Sequence, residues 1–259
     1  MEQQAANLYD YPKYYDLLFG SDSLAEFHFL QQCFEKYAKC KVSRLFEPAC
    51  GTGRLIYRLA GAGYEVAGND INPKAVDYCN KRLVRGGFPA SVTVGDMADF
   101  KVKKKFHAAF NTINSFRHLS SDATAESHLH CVAEGLAKGG LYILGLHLTP
   151  TRGTRVDHEE WTARRGHLQV NSSMWCKKLD LKNRNEVLGM TFDVYTPTKT
   201  LRLVDEMNYR TYTDQQFQKL LARVPELEVA ALHDFVYDIK TEVTIQPETE
   251  DVVFILRKK

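Results

Sequence analysis

The chain has 259 residues, 44% of them apolar and 25% charged, with a formal net charge of +2. These fractions are ordinary for a globular protein, and the charge is too small to imply a polyanionic partner. No stretch is long and apolar enough to cross a membrane, and Met1 to Asp10 lacks the charged-then-apolar pattern of a secretory signal, so a cytoplasmic protein is expected. The length suits one large α/β domain, alone or with a small subdomain.

Five aromatic residues, Tyr9, Tyr11, Tyr14, Tyr15 and Phe19, precede a helix-like run from Leu24 to Tyr37. A strand is expected over Val42 to Phe46 and a helix over Leu55 to Ala60. Between them lies Glu47-Pro48-Ala49-Cys50-Gly51-Thr52-Gly53, a glycine turn whose backbone can approach a ligand closely and whose following helix presents unpaired N–H groups. A second strand, Tyr64 to Gly68, ends at Asn69-Asp70-Ile71-Asn72-Pro73, and the proline suits the first turn of a helix over Lys74 to Leu83. A third strand, Ser91 to Val94, runs into Gly95-Asp96-Met97. The lysine-rich loop from Lys101 to Lys105 reads as solvated. A fourth strand, Ala108 to Phe110, leads into Asn111-Thr112-Ile113-Asn114-Ser115-Phe116-Arg117-His118-Leu119. A helix near Ala123 to Ala137, a Gly139-Gly140 stop and a fifth strand, Leu141 to Leu146, follow.

Strand five ends near His147, yet the next helix, Thr213 to Ala222, begins more than sixty residues later. Connections in α/β units are short, so this stretch needs structure of its own. Leu168 to Cys176, Leu188 to Val194 and Leu201 to Tyr209 each alternate with period two, and Lys182 to Asn185 and Thr196 to Lys199 look like turns. Three antiparallel strands are expected, forming a small arm over the carboxyl ends of the main sheet, with a structural or dimer-forming arm as the alternative. Strands at Leu227 to Asp234 and Asp251 to Leu256 close the chain as an antiparallel hairpin. The division expected is an N-terminal aromatic and helical cap over 1–40, a core over 41–150 and 211–259, and an antiparallel β arm over 151–210.

An acid-first glycine turn, with acids at the ends of the next two strands, resembles the class I S-adenosylmethionine-dependent methyltransferases. The match is close over about residues 40–148 and looser elsewhere. The turn departs from the dinucleotide fingerprint G-x-G-x-x-G. Ala49 stands where the family has its first glycine, and Asn111 where an acid is commoner. The resemblance implies an α/β fold: a seven-stranded Rossmann-like sheet in the order 3-2-1-4-5-7-6, with helices on both faces and the β arm inserted. It implies S-adenosyl-L-methionine as cofactor and S-adenosyl-L-homocysteine as product. The cofactor residues implied are Glu47, Pro48, Ala49, Gly51, Gly53, Asp70, Ile71, Asp96, Met97 and Asn111, with Tyr15 closing the pocket. Asp70 would take the ribose hydroxyls and Asp96 the adenine amine.

The acceptor expected is nitrogen or oxygen of a small molecule. A protein or RNA methyltransferase, or a non-catalytic cofactor-binding subunit, is the alternative. The Pro-Cys and Asp/Asn-Pro-Pro-Tyr motifs of nucleic-acid methyltransferases are absent. His118 and His147 are candidate bases or structural histidines, and Tyr14, Arg117 and Trp161 are candidate acceptor contacts. Arg117 could hold a carboxylate through two hydrogen bonds. The six cysteines lack zinc-ligand spacing, so no metal is expected and the thiols should be free in a reducing compartment. A monomer or homodimer without membrane association completes the expectation.

Overall fold

The computed structural model describes residues 2–20, 22–153, 155 and 158–259. Residues 1 and 21 of the N-terminal segment, and 154, 156 and 157 of the arm, lie outside the described residues. The chain opens with β1 (Glu2–Ala5), α1 (Pro12–Phe19) and α2 (Leu24–Tyr37). It continues with β2 (Arg44–Pro48), α3 (Arg54–Gly61), β3 (Glu65–Asp70), α4 (Pro73–Arg85), β4 (Val92–Val94) and β5 (Phe106–Asn111). Next come α5 (Asp122–Gly135) and the long β6 (Leu136–His147). The arm holds β7 (His158–Arg165), β8 (Leu168–Asp180), β9 (Asn185–Tyr195) and β10 (Thr200–Arg210). The chain ends with α6 (Asp214–Leu221), β11 (Leu227–His233) and β12 (Asp251–Lys258).

Seven strands form the main sheet, in the order β11-β12-β6-β5-β2-β3-β4. Numbered among themselves in chain order, these strands read 6-7-5-4-1-2-3. β2 to β6 pair in parallel, and β12 inserts antiparallel between β6 and β11. Helices cover both faces, so central strands are apolar on both sides. In β12, Val252, Phe254 and Leu256 join the cluster with Leu129, Val132 and Phe217, while Val253 and Ile255 face Phe29, Leu30, Leu55 and Ile56. The period of two delivers alternate side chains to opposite cores. Helix starts follow local chemistry: the Asn72 side chain caps α4 through the Lys74 and Ala75 N–H groups, and Ser121 and Thr213 form capping boxes.

The arm differs from the expectation. It has four antiparallel strands rather than three, and β1 adds a fifth by pairing in parallel with β10, Glu2 opposite Leu201. β7 escapes a pattern search because His158 to Arg165 is polar, with Trp161 and Ala163 as its only apolar residues. β1 is exposed at every position and has no apolar period. The inner face of the arm, including Val170, Phe192 and Leu203, packs on Leu8, Leu17 and Leu18, so the N-terminal segment and the arm share one apolar cluster. The six cysteines are free.

Candidate active site

A cavity of about 840 Å³ lies between the arm, the N-terminal segment and the carboxyl ends of β2 to β5. Its floor begins with the turn after β2. Ala49, Gly51 and Gly53 all take left-handed backbone angles, φ 50°, 54° and 68°. A Cβ built on Gly51 meets nothing within 4 Å, because Gly51 faces the cavity. One built on Gly53 would lie 2.1 Å from the Cys79 sulfur, so Gly53 is needed for packing and not as a cavity wall. Asp70 ends β3 and accepts the Gly51 N–H at 2.7 Å and the Asn72 N–H at 2.8 Å. Burial raises its carboxyl, and those two donors oppose the shift. Two oxygens with about four lone pairs leave it acceptor capacity toward the cavity. Asp96, Met97 and the exposed Ile71 line the same side. Beneath them Glu47 is buried, its carboxyl pushed well up by desolvation against the pull of Arg54, and its Oε2 has no partner among the described residues. Asn111 is also buried; it donates to Pro48 O at 2.8 Å and so braces the turn from behind without reaching the cavity. The fit to an adenosyl cofactor therefore rests on an open glycine cradle, a strand-end carboxylate beside it, and an orphaned acid below.

The opposite wall is aromatic. Tyr9 and Tyr15 are 5.3 Å apart, Tyr15 and Phe19 4.5 Å, and Phe19 and Trp161 5.4 Å between ring centres. His118 meets Tyr9 through Nε2 at 2.9 Å and stands edge-on to Tyr209 at 4.7 Å. Burial, and then the neighbouring Arg117 charge, push His118 down to about 4. Burial raises the phenols of Tyr9, Tyr15 and Tyr209, so all three stay protonated.

Of the expected catalytic and acceptor residues, three face elsewhere. His147 lies outside the cavity lining; its ring sits 2.7 Å from Asp251 and 3.0 Å from Glu250, because β12 pairs with β6 at that point. Arg117 is buried and unavailable to a substrate: it donates to Glu186 at 2.5 Å and to Arg210 O at 3.1 Å. Tyr14 stacks on Tyr11 and lines a separate, smaller hollow with Lys13 and Arg165. Conversely Tyr209 and Asp205 belong to the cavity without having been singled out for it. Asp205 was the available signal, a carboxylate in the otherwise apolar face of β10, where it accepts the Leu8 N–H at 2.8 Å.

His118 and the buried His128 give the molecule an acid-labile character. His128 Nδ1 donates to Met97 O and Nε2 accepts from the Tyr142 hydroxyl, both at 2.8 Å, and burial pushes it down to about 4. Between pH 6.5 and 4 the unfolded chain binds protons at these histidines that the folded chain refuses. Stability therefore falls as pH falls through that window, by about 1.4 kcal/mol per pH unit per histidine. Urea unfolding at pH 7.5 and pH 5 should show the loss, and His128→Gln should flatten the difference. A pH difference in stability that His128→Gln leaves unchanged would contradict the burial assignment.

A methyltransferase-domain family model matches residues 46–140. A dTDP-3-amino-3,4,6-trideoxy-α-D-glucopyranose N,N-dimethyltransferase of Streptomyces venezuelae is 26% identical over 138 residues, 52% of this chain and 56% of that protein. The match thus spans little more than half of the curated relative. DesVI of Streptomyces venezuelae superposes with a TM-score of 0.77 at 19% identity, over 97% of this chain and 99% of that one. An S-adenosylmethionine-dependent methyltransferase of Clostridium acetobutylicum gives 0.76 at 16% identity, over 97% and 99%. An S-adenosylmethionine-bound amino pentose methyltransferase of Micromonospora echinaspora gives 0.72 at 16%, over the full length of both chains. At these identities the superpositions establish the fold alone, and residues 46–140 are the part of the chain that is similar to a methyltransferase domain.

Proposed function

We propose that the protein transfers a methyl group from S-adenosyl-L-methionine to a nitrogen of a small-molecule amine. The observation that carries this reading is the single cavity whose floor is the glycine turn and strand-end acids and whose other wall is the aromatic arm. The N-methylating relative supports nitrogen as the acceptor atom. When bound, the cofactor supplies a methyl group already activated for in-line displacement.

The residues of this chain bind, orient and exclude water. Asp70 would accept from the ribose hydroxyls and Asp96 from the adenine amine, and Gly51 would let the backbone come close to the ligand. Tyr15 and the N-terminal segment cover the cofactor, and the arm over 151–210 covers the acceptor. Holding an amine lone pair at near-attack distance on the methyl axis lowers the barrier by several kcal/mol, and the covered cavity keeps water away. The amine must arrive neutral. His118 is poorly matched to take its proton, since a base works best with a pKa near the working pH and this ring is held at about 4. With Nε2 engaged by Tyr9, His118 serves to orient the Tyr9 hydroxyl and the acceptor.

Asp70→Ala tests the reading. Loss of a charged acceptor should weaken S-adenosylhomocysteine binding by about 1.5–3 kcal/mol, ten- to hundred-fold. The fold should survive, because the side chain sits at a strand end and not in either apolar cluster. Calorimetric titration of both proteins decides. Equal affinities would sink the assignment, and binding of NAD instead would move the protein to another class.

A further inference from the structure

The charge of the cavity has one sign. Among the described residues that line it are six carboxylates, one histidine, and no lysine or arginine. Asp70 and Asp96 stand on the cofactor side. On the acceptor side are Asp22, Glu159, Asp205 and Glu206, of which Glu206 is paired with Lys177 outside the cavity. Asp205 is satisfied by the backbone N–H groups of Leu8 and Glu206 and, among the described residues, by no cation. Asp22 and Glu159 are exposed at the rim. Nearby cations turn away: Arg54 is held by Glu26, Arg117 by Glu186, and Lys13 lines the separate hollow.

The aromatic wall has the same preference. Tyr209, His118, Tyr9, Tyr15, Phe19 and Trp161 form a continuous series of rings with neighbouring centres 4.5 to 5.6 Å apart. Ring faces attract cations through their quadrupole, most of all tryptophan. A phosphate or carboxylate entering here would find no guanidinium fork to hold it and would face a field that opposes it.

We infer that the methyl acceptor is a small amine that carries positive charge when protonated and has no phosphate or carboxylate of its own. The inference rests on the methyltransferase reading above and narrows it. It separates this chain from the Streptomyces venezuelae relative, whose acceptor is a dTDP-linked amino sugar. The carboxylates and rings draw the ammonium form to the rim, where Asp22 and Glu159 are exposed, and there it gives its proton to bulk water before the neutral amine enters the covered part of the cavity.

Phenyltrimethylammonium has no lone pair to methylate, so it reports binding alone. It is titrated calorimetrically into protein saturated with S-adenosylhomocysteine. Binding is expected, about ten-fold weaker in Trp161→Ala and largely kept in Trp161→Phe. The combined Asp22→Asn and Glu159→Gln variant, which leaves the arm packing intact, should also bind more weakly and with less dependence on salt. Thymidine diphosphate binding more tightly than the ammonium overturns the inference. So does an ammonium affinity that neither the tryptophan nor the charge variants change. The saturation step tests the underlying reading by itself: a protein that takes up no S-adenosylhomocysteine overturns that reading, and the inference with it.

Discussion

Glu186→Ala is expected to lower the free energy of unfolding by about 3–5 kcal/mol, the cost of leaving buried charge unpaired. The Glu186 carboxylate is 3% exposed and takes Arg117 at 2.5 Å and Arg155 at 2.8 Å. Arg117 is itself 4% exposed and lies over the Tyr209 ring. Arg117 belongs to the turn after β5, and Glu186 to β9, so the pair fastens the arm to the core beside the cavity. Burial pushes the Glu186 carboxyl up, but the charges of Arg117 and Arg155 outweigh it and hold it low. Its contribution is therefore present above the ordinary glutamate range and lost as pH falls through the folded value. Urea unfolding measures the effect. Asp77→Ala is the control, because its pair with Lys81 is 59% and 65% exposed and should contribute under about 1 kcal/mol. A Glu186→Ala loss no larger than the control's would show that the buried pair does not hold the arm.

Gly51→Val is expected to abolish cofactor binding while leaving a folded protein. A β-branched residue at φ 54° is a backbone outlier, costing about 1–3 kcal/mol. Yet the added carbons meet no protein atom, since a Cβ there has nothing within 4 Å. They occupy the space where a ligand approaches the backbone. Gly53→Val is the contrast: its Cβ would fall 2.1 Å from the Cys79 sulfur, so that variant should lose folding itself. A thermal melt with and without S-adenosylhomocysteine separates the two, because a ligand that binds only the folded state raises the transition. A Gly51→Val protein that melts near wild type and is still stabilised by the ligand would remove Gly51 from the cofactor site.

The core was legible because each of its strands carries a dense apolar run and each turn a residue with one local use. α2 lies over Leu24–Tyr37 as expected, and Pro73 opens α4 behind its Asn72 cap. Asp70 and Asp96 both reach the cavity, since an acid at a parallel strand end has few other places to point. The misses share a cause: chain order does not say which way a side chain leaves a tight turn or a helix. Arg117 and His118 are neighbours in one 3-10 turn, yet one enters the buried ion pair and the other the cavity. Tyr14 and Tyr15 are neighbours on α1 and line different hollows. His147 ends β6 as its apolar run predicted, but its ring is claimed by Glu250 and Asp251, which the later strand β12 brings alongside. β7 and β1 were invisible because edge strands of a half-exposed sheet need no alternation.

The activity proposed for this cavity is methyl transfer to small amines. Incubation with methyl-labelled S-adenosylmethionine and a mixture of small amines, with label counted in the low-molecular-weight products, tests it most directly. Label should appear in an amine product with matching formation of S-adenosylhomocysteine, and little of either should appear with Gly51→Val. Wild-type protein that binds the cofactor yet moves no label into any small amine, or that labels only protein or RNA, would contradict it.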